Sequence, residues 1–154
     1  MGYAFLVAAP ERALLLECGI VDVRASTTAA ERLLAISEAL DELIRRHRPA
    51  ALAVERLFFN KNALTAMRVS EARGVALLCG ARAGLDVFEY TPQEVKISIT
   101  GNGRGDKKAV QRMLPLLVAL DVPITQDNVA DAIAIALTHA QRARFADAVV
   151  AATT

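Results

Sequence analysis

Apolar residues gather in short runs at the start of the chain and fall into helical spacing after it. Tyr3 to Ala8 is one apolar run, Ala9-Pro10-Glu11-Arg12 follows as a turn, and Ala13 to Val23 is a second run. Two such runs around a turn predict a β-hairpin. Ser26, Thr27 and Thr28 then offer N-caps for a helix through about His47, with Leu33, Ile36, Leu40 and Leu43 at helical spacing. Arg45, Arg46, His47 and Arg48 stand at its C-terminal end, where cations suit the dipole, and Pro49 ends it. Ala50 to Val54 reads as a short buried strand closing on the acid Glu55. Asn62 to Ala83 reads as a long helix stopped by Gly84, and Asp86 to Tyr90 as another strand. Thr91-Pro92 opens a short helix through Val95 and Ile99. A basic Gly-rich loop, Gly101 to Gly105, leads into a helix from Asp106 to about Leu120. Asp121 to Thr125 is a linker, and a last helix runs from about Asp127 to Arg144. This order predicts an α/β fold, a mixed sheet flanked by helices.

Composition narrows the picture without naming a chemistry. The chain has 154 residues, 54% hydrophobic and 23% charged, enough for one domain over residues 1–154 with a sizeable core. No internal repeat or low-complexity linker marks a boundary. Net charge is +1, so any nucleic-acid surface must be a local patch. Cys18 and Cys79 lie far apart in apolar segments with no metal spacing, and read as buried reduced thiols. Residues 1–9 lack a signal-peptide pattern, and no apolar run approaches the roughly 20 residues that span a bilayer. A cytoplasmic protein without a membrane segment is expected.

Glu55 ends an apolar strand, and open α/β sheets bind ligands just beyond the carboxyl ends of their strands. A solvated charge at a strand end fits the same position. Asp127, Asn128 and Asp131 open the last helix at spacings that share one face, while Val129, Ile133, Ala136, Leu137 and Ala140 fall on the opposite side. Ordinary capping by Thr125 or Asp127, with acids favoured in the first turn, explains that cluster equally. A strand Glu and a helix Asp can also hold Mg²⁺ through hard oxygens, and two such ions stabilise the attacking and leaving oxygens of a phosphodiester hydrolysis. Lys96, Arg104, Lys107, Lys108 and Arg112 share a stretch with one acid, Asp106. Backbone amides of its Gly-rich loop and the next helix N-terminus suit phosphate, although a solvated helix face accounts for the lysines as well. Phe58 and Phe59 are adjacent, so one is available to stack on bases unless both are core. The helix from Asn62 has apolar or small residues on several sides, including Leu64, Met67, Gly74 and Leu78, which suits a partner helix in a dimer or burial within its own domain.

Five segments together carry a resemblance. Ala-Val-Glu-Arg-Leu-Phe-Phe-Asn-Lys-Asn (53–62), Glu-Ala-Arg-Gly-Val-Ala (71–76), Thr-Pro-Gln-Glu-Val-Lys (91–96), Thr-Gly-Asn-Gly-Arg-Gly-Asp-Lys (100–107) and Ala-Asp-Ala-Ile-Ala-Ile-Ala-Leu-Thr-His (130–139) resemble, in order, segments of the RuvC family of Holliday junction resolvases. The resemblance covers nearly the whole chain. It implies an RNase H-like fold and a homodimer that nicks two opposed strands of a four-way DNA junction symmetrically in recombination and repair, using Mg²⁺ (with Mn²⁺ as a substitute). By position, Glu55 and Asp131 become metal-ligating carboxylates, and Lys96 and Lys107 become phosphate or transition-state contacts. Arg104 falls in the same DNA-contacting segment as Lys107, Lys108 follows that segment directly and is expected to contact DNA with it, and Phe58 lies where the family places an aromatic near the junction core. The implied partners are a branch-migration motor and its junction-binding subunit.

Two departures qualify it. The family begins with a central strand ending in Gly-x-Asp-Pro-Gly, whose Asp is its first metal ligand, whereas Met1-Gly2-Tyr3-Ala4 lines up just after that motif. The expected reason is a start assigned at an internal Met or a truncated chain; loss of the strand would leave unpaired edges. Three residues before the last Asp the family has Asp or His, and here Asn128 stands there. An amide offers a metal a neutral oxygen but cannot act as a general base, so two readings of this third position stand: Asn128 as an amide ligand, or Asp127, four residues before Asp131, in its place. The alternative to an active resolvase is an impaired or truncated homologue that binds junctions without cutting. An RNase H-like nuclease with another nucleic-acid substrate is a third reading.

Overall fold

The computed structural model describes residues 1–9, 11–23, 28–56, 63–103, 105–119, 124 and 126–153, with only the backbone described at 63–65 and 144–153. The chain divides into two compact units, Met1 with Val21–Glu89 and Gly2–Ile20 with Tyr90–Thr154.

The first unit contains α1 (Ala29–His47), β3 (Ala51–Glu55), α2 (Ala63–Arg82) and most of β4 (Asp86–Tyr90). Thr28 caps α1 in a full capping box with Glu31, whose carboxyl is held below its usual range by the Thr28 backbone and hydroxyl. Of the three expected capping residues, Ser26 and Thr27 lie outside the described residues. Arg48, in the left-handed region at φ 45°, closes the helix by donating its N–H to Ile44 O. Ile36 and Leu43 of α1 and Ala76 and Cys79 of α2 form the buried seam of this unit. Burial raises the pKa of the Cys79 thiol. Cys18 is only half-buried, unlike the buried thiol expected of it. Gly80 lets α2 lie on β3, because a Cβ there would come within 2.7 Å of Leu52 Cδ2. β3 pairs with β4 in a two-stranded sheet. Its first four residues are half-buried rather than buried.

The second unit is built on β1 (Gly2–Val7) and β2 (Ala13–Ile20), the expected hairpin, antiparallel from Gly2↔Ile20 to Val7↔Leu14 with an irregularity between Phe5 and Leu6. β5 (Val118–Ala119) adds to β2 in parallel, giving a mixed sheet ordered β1-β2-β5. α3 (Pro92–Thr100), α4 (Lys107–Leu117) and α5 (Asp127–Thr153) complete the unit, and α5 lies along β1 and β2. Thr91 and Glu94 box the start of α3, and Gly101 in the left-handed region ends it. Leu114, Val118, Ile133 and Thr138 are fully buried, which puts the core where α4, β5 and α5 meet.

β5 corrects the sequence expectation, which carried α4 on to Leu120. Pro115 inside α4 has no N–H to give its turn, and by Val118 the backbone is extended. Arg12 then spans the break, donating from Nη2 to the carbonyls of Pro115 (2.5 Å) and Val118 (2.7 Å). α5 also runs past Arg144 to Thr153.

Candidate functional site

The acids at the start of α5 are reached from α4. Asp106 caps α4 by accepting from Ala109 N at 2.7 Å, which sets Lys107 in its first turn and Gln111 one turn further on. Asp127 and Asp131 have the same spacing of four on α5, so two i,i+4 pairs face one another. Lys107 Nζ donates to Asp131 Oδ2 at 3.0 Å and lies 3.4 Å from Asp127 Oδ2. Gln111 Nε2 donates to Asp127 Oδ1 at 2.9 Å. The hydrogen bond to Asp131, with both negative charges, raises the pKa of the lysine.

Part of the capping reading holds, since Asp127 is an acid in the first turn of α5. Asp127 is the first helical residue, and the first helical bonds, from Val129 N and Ala130 N, go to the Gln126 carbonyl. Asp127 is therefore not the N-cap, because its carboxylate is committed to Lys107 and Gln111. Thr125 lies outside the described residues. The opposite side of α5 packs as expected: Val129, Ile133 and Leu137 are buried, whereas Ala136 and Ala140 are half-buried.

Asn128 has a different neighbour. A Cβ on Gly2 would fall 2.1 Å from the Asn128 carbonyl oxygen and 3.2 Å from its Cβ, so only glycine lets β1 approach α5 this closely. Lys107 and Gln111 take the carboxylates on either side of Asn128 and leave its amide aside. Lys96 is half-buried on α3, and Lys108 and Arg112 are exposed on α4. Arg104, Phe58 and Phe59 lie outside the described residues.

Glu55 is the last residue of β3 and is exposed. Arg73 of α2 donates from Nε to the Glu55 backbone carbonyl at 3.1 Å and pairs through Nη2 with Glu89 Oε1 at 2.8 Å. Arg56 lies 3.6 Å from the other Glu89 oxygen. Thus β3, α2 and β4 are tied together beside Glu55 by a small charged network. Arg73 and Gln111 were not singled out from sequence. Gln111 had a signal in its spacing of four from Lys107; Arg73 had only its place in the 71–76 segment.

A third cluster lies along α5. Tyr90 Oη is 2.9 Å from His139 Nδ1, and the Arg142 guanidinium stands 5.0 Å from the Tyr90 ring centroid while pairing with Glu94 at 3.1 Å. Burial raises the Tyr90 pKa and lowers that of His139.

Among the described residues no group of three His, Cys, Asp or Glu side chains is gathered as a metal site. The donors present still suit a hard cation: two carboxylates on one helix turn already converge on the same ammonium, Lys107 Nζ. Among the described residues no helix is long and apolar enough to cross a membrane.

Comparison with known proteins agrees with the order of these elements. Residues 1–139 match the sequence model of the family described as crossover junction endodeoxyribonuclease RuvC. A protein of that name from Pelotomaculum thermopropionicum is 47% identical over 139 residues, covering 90% of this chain and 85% of the relative. One from Moorella thermoacetica is 47% identical over 129 residues, covering 84% and 76%. The RuvC structure from Thermus thermophilus superposes with a TM-score of 0.86 at 33% identity, over 94% of this chain and 89% of the other. The T. thermophilus RuvC complex with a Holliday junction substrate gives 0.84 at 32% identity, over 95% and 96%. Its fold is therefore RNase H-like, and the chain belongs to the RuvC family of crossover junction endodeoxyribonucleases.

Proposed function

We propose that this chain resolves four-way DNA junctions in recombination and repair, as a homodimeric Mg²⁺-dependent endonuclease that makes paired symmetric nicks. The observation that carries the reading is its likeness, over 95% of its length, to a relative solved with a Holliday junction substrate. In this reading Asp131, with Asp127 in the role that Asn128 cannot fill as a base, holds metal at the start of α5. Glu55 is the further carboxylate that the family resemblance assigns. Bound there, Mg²⁺ supplies Lewis acidity to the phosphodiester and a more acidic attacking water. Lys107, with Lys96 and Lys108 nearby in sequence, offsets negative charge on the phosphate. Phe58, Phe59 and Arg104 are assigned DNA contacts by the resemblance alone. Mn²⁺ serves as a substitute metal, and a branch-migration motor with its junction-binding subunit delivers the junction in the cytoplasm.

The dimer draws support from α2. One side of that helix is buried, yet Met67 is 59% and Leu78 54% exposed, and nothing lies within 4 Å of a Cβ built on Gly74. Those three positions repeat at seven and four residues, one helical stripe suited to a second copy. Sedimentation that stays monomeric at every concentration rejects it.

The test of function is cleavage of an end-labelled synthetic junction with Mg²⁺, beside Glu55→Gln. Paired symmetric nicks that vanish in the variant support the resolvase. Asn128 favours a second reading, a homologue that binds junctions without cutting, because an amide cannot take a proton from water. Tight junction binding with no nicks at any Mg²⁺ concentration selects it.

A further inference from the structure

Lys107 sits where a cation would. Among the described residues its ammonium is the positive atom that both Asp131, at 3.0 Å, and Asp127, at 3.4 Å, approach, and Gln111 holds the remaining Asp127 oxygen at 2.9 Å. All three charged side chains are close to half-exposed or more, so ions and substrate can reach the cluster. A metal ion binding these oxygens and an ammonium bound to them satisfy the same charge. Both cannot occupy it at contact distance, because a lysine 3 Å from each carboxylate oxygen would repel a divalent ion placed between them. The lysine stem is long and flexible, so its head can leave the acids with little disturbance to α4.

We propose that Lys107 is an exchangeable counter-cation. It holds Asp127 and Asp131 together while no metal is bound, is displaced when metal takes the carboxylates, and is thereby released to a DNA phosphate. The inference rests on the metal reading given above and adds an order to it: metal entry sets the lysine free, so metal and phosphate recruit one another. A purely structural ion pair has no such consequence.

The test is Mn²⁺ binding without DNA, followed by electron paramagnetic resonance, for the full chain, Lys107→Gln, Lys108→Gln and Asp131→Asn. Two half-exposed pairs, each of modest strength, oppose metal by roughly three- to tenfold, and Lys107→Gln should bind Mn²⁺ tighter by that factor. Lys108→Gln removes the same charge one residue away and should change affinity by less than about twofold at moderate salt. A second measurement reads the lysine itself: acylation of Lys107 by a water-soluble active ester, followed by mass spectrometry, should speed up on adding Mg²⁺. Metal binding that needs Asp131 but is unchanged or weaker in Lys107→Gln overturns the exchange and leaves the metal site standing. Binding that is indifferent to Asp131 removes the metal site and the exchange together.

Discussion

The start of α5 and the end of β3 each present acids proposed to bind metal, and the contacts described at the two grip different atoms. At α5 the carboxylates themselves are engaged: Lys107 and Gln111 grip the side-chain oxygens of Asp127 and Asp131. At β3 the backbone is engaged: Arg73 grips the carbonyl of Glu55, with Glu89 as its second partner. The first corner fixes charge and the second fixes chain position. A substitution beside the first should therefore change what the acids bind, and one beside the second should change where an acid stands.

The harshest way to break the comparison is to remove an acid from either corner. Glu55→Gln and Asp131→Asn should each lower junction cleavage by about 10²-fold or more while leaving junction binding, read by gel shift, within a few-fold. If only one of them matters, the corners are not two halves of one function. Next in size is Arg73→Met, which should weaken Mn²⁺ affinity or cleavage by about 10- to 100-fold through Glu55 alone. Arg73→Lys should recover part of it, because a point charge can keep Glu89 but lacks the fork that serves both acceptors. Equal damage from Met and Lys would point to simple loss of packing. At the other corner, Asp127→Ala should reduce Mn²⁺ affinity more than Asn128→Ala; the reverse ranking would make the amide the ligand.

Gly2→Ala tests the backing of the α5 corner. A methyl 2.1 Å from the Asn128 carbonyl forces β1 or α5 to shift, and overpacking of that kind costs about 1–3 kcal/mol in a urea melt. The smallest effect belongs to His139, further along the same helix. Burial lowers its folded-state pKa, so protonation favours the unfolded chain. The stability it contributes is present above its unfolded value of about 6.5 and declines as pH falls through that value toward the lower folded one. His139→Gln should flatten the stability profile in that window, and an unchanged slope would assign the acid sensitivity elsewhere.

Most of the fold was legible because local patterns agreed with the tertiary result. The hairpin, the Thr28 and Thr91 caps, Gly84 as a stop, and the buried face of α5 all follow from neighbours within a few residues. β5 was not legible, because the Leu-rich run around Pro115 continues the helical pattern and only pairing with β2 makes a strand of Val118–Ala119. At the site, spacing alone placed Asp127 and Asp131 on one face. What that face meets is set by Lys107, 24 positions from Asp131, which no local period encodes. Glu55 stood out by its strand end and gained a role from the resemblance, whereas its tie to Arg73 joins positions 18 apart and had no sequence signal of its own.

The Arg12 bonds to Pro115 and Val118 join positions 103 and 106 apart, and they impose a schedule on synthesis. Apart from Met1, the unit holding α1 to β3 and α2 is one unbroken stretch, Val21–Glu89, so its native partners are complete once that stretch has left the ribosome. The unit holding the α4–α5 corner is split into Gly2–Ile20 and Tyr90–Thr154. Its hairpin emerges first and must wait, with Ala13 uncovered, for β5 and α5 to arrive from the end of the chain. The lysine and acids of that corner are therefore assembled last, and a nascent chain stalled before residue 118 has no place yet to put them.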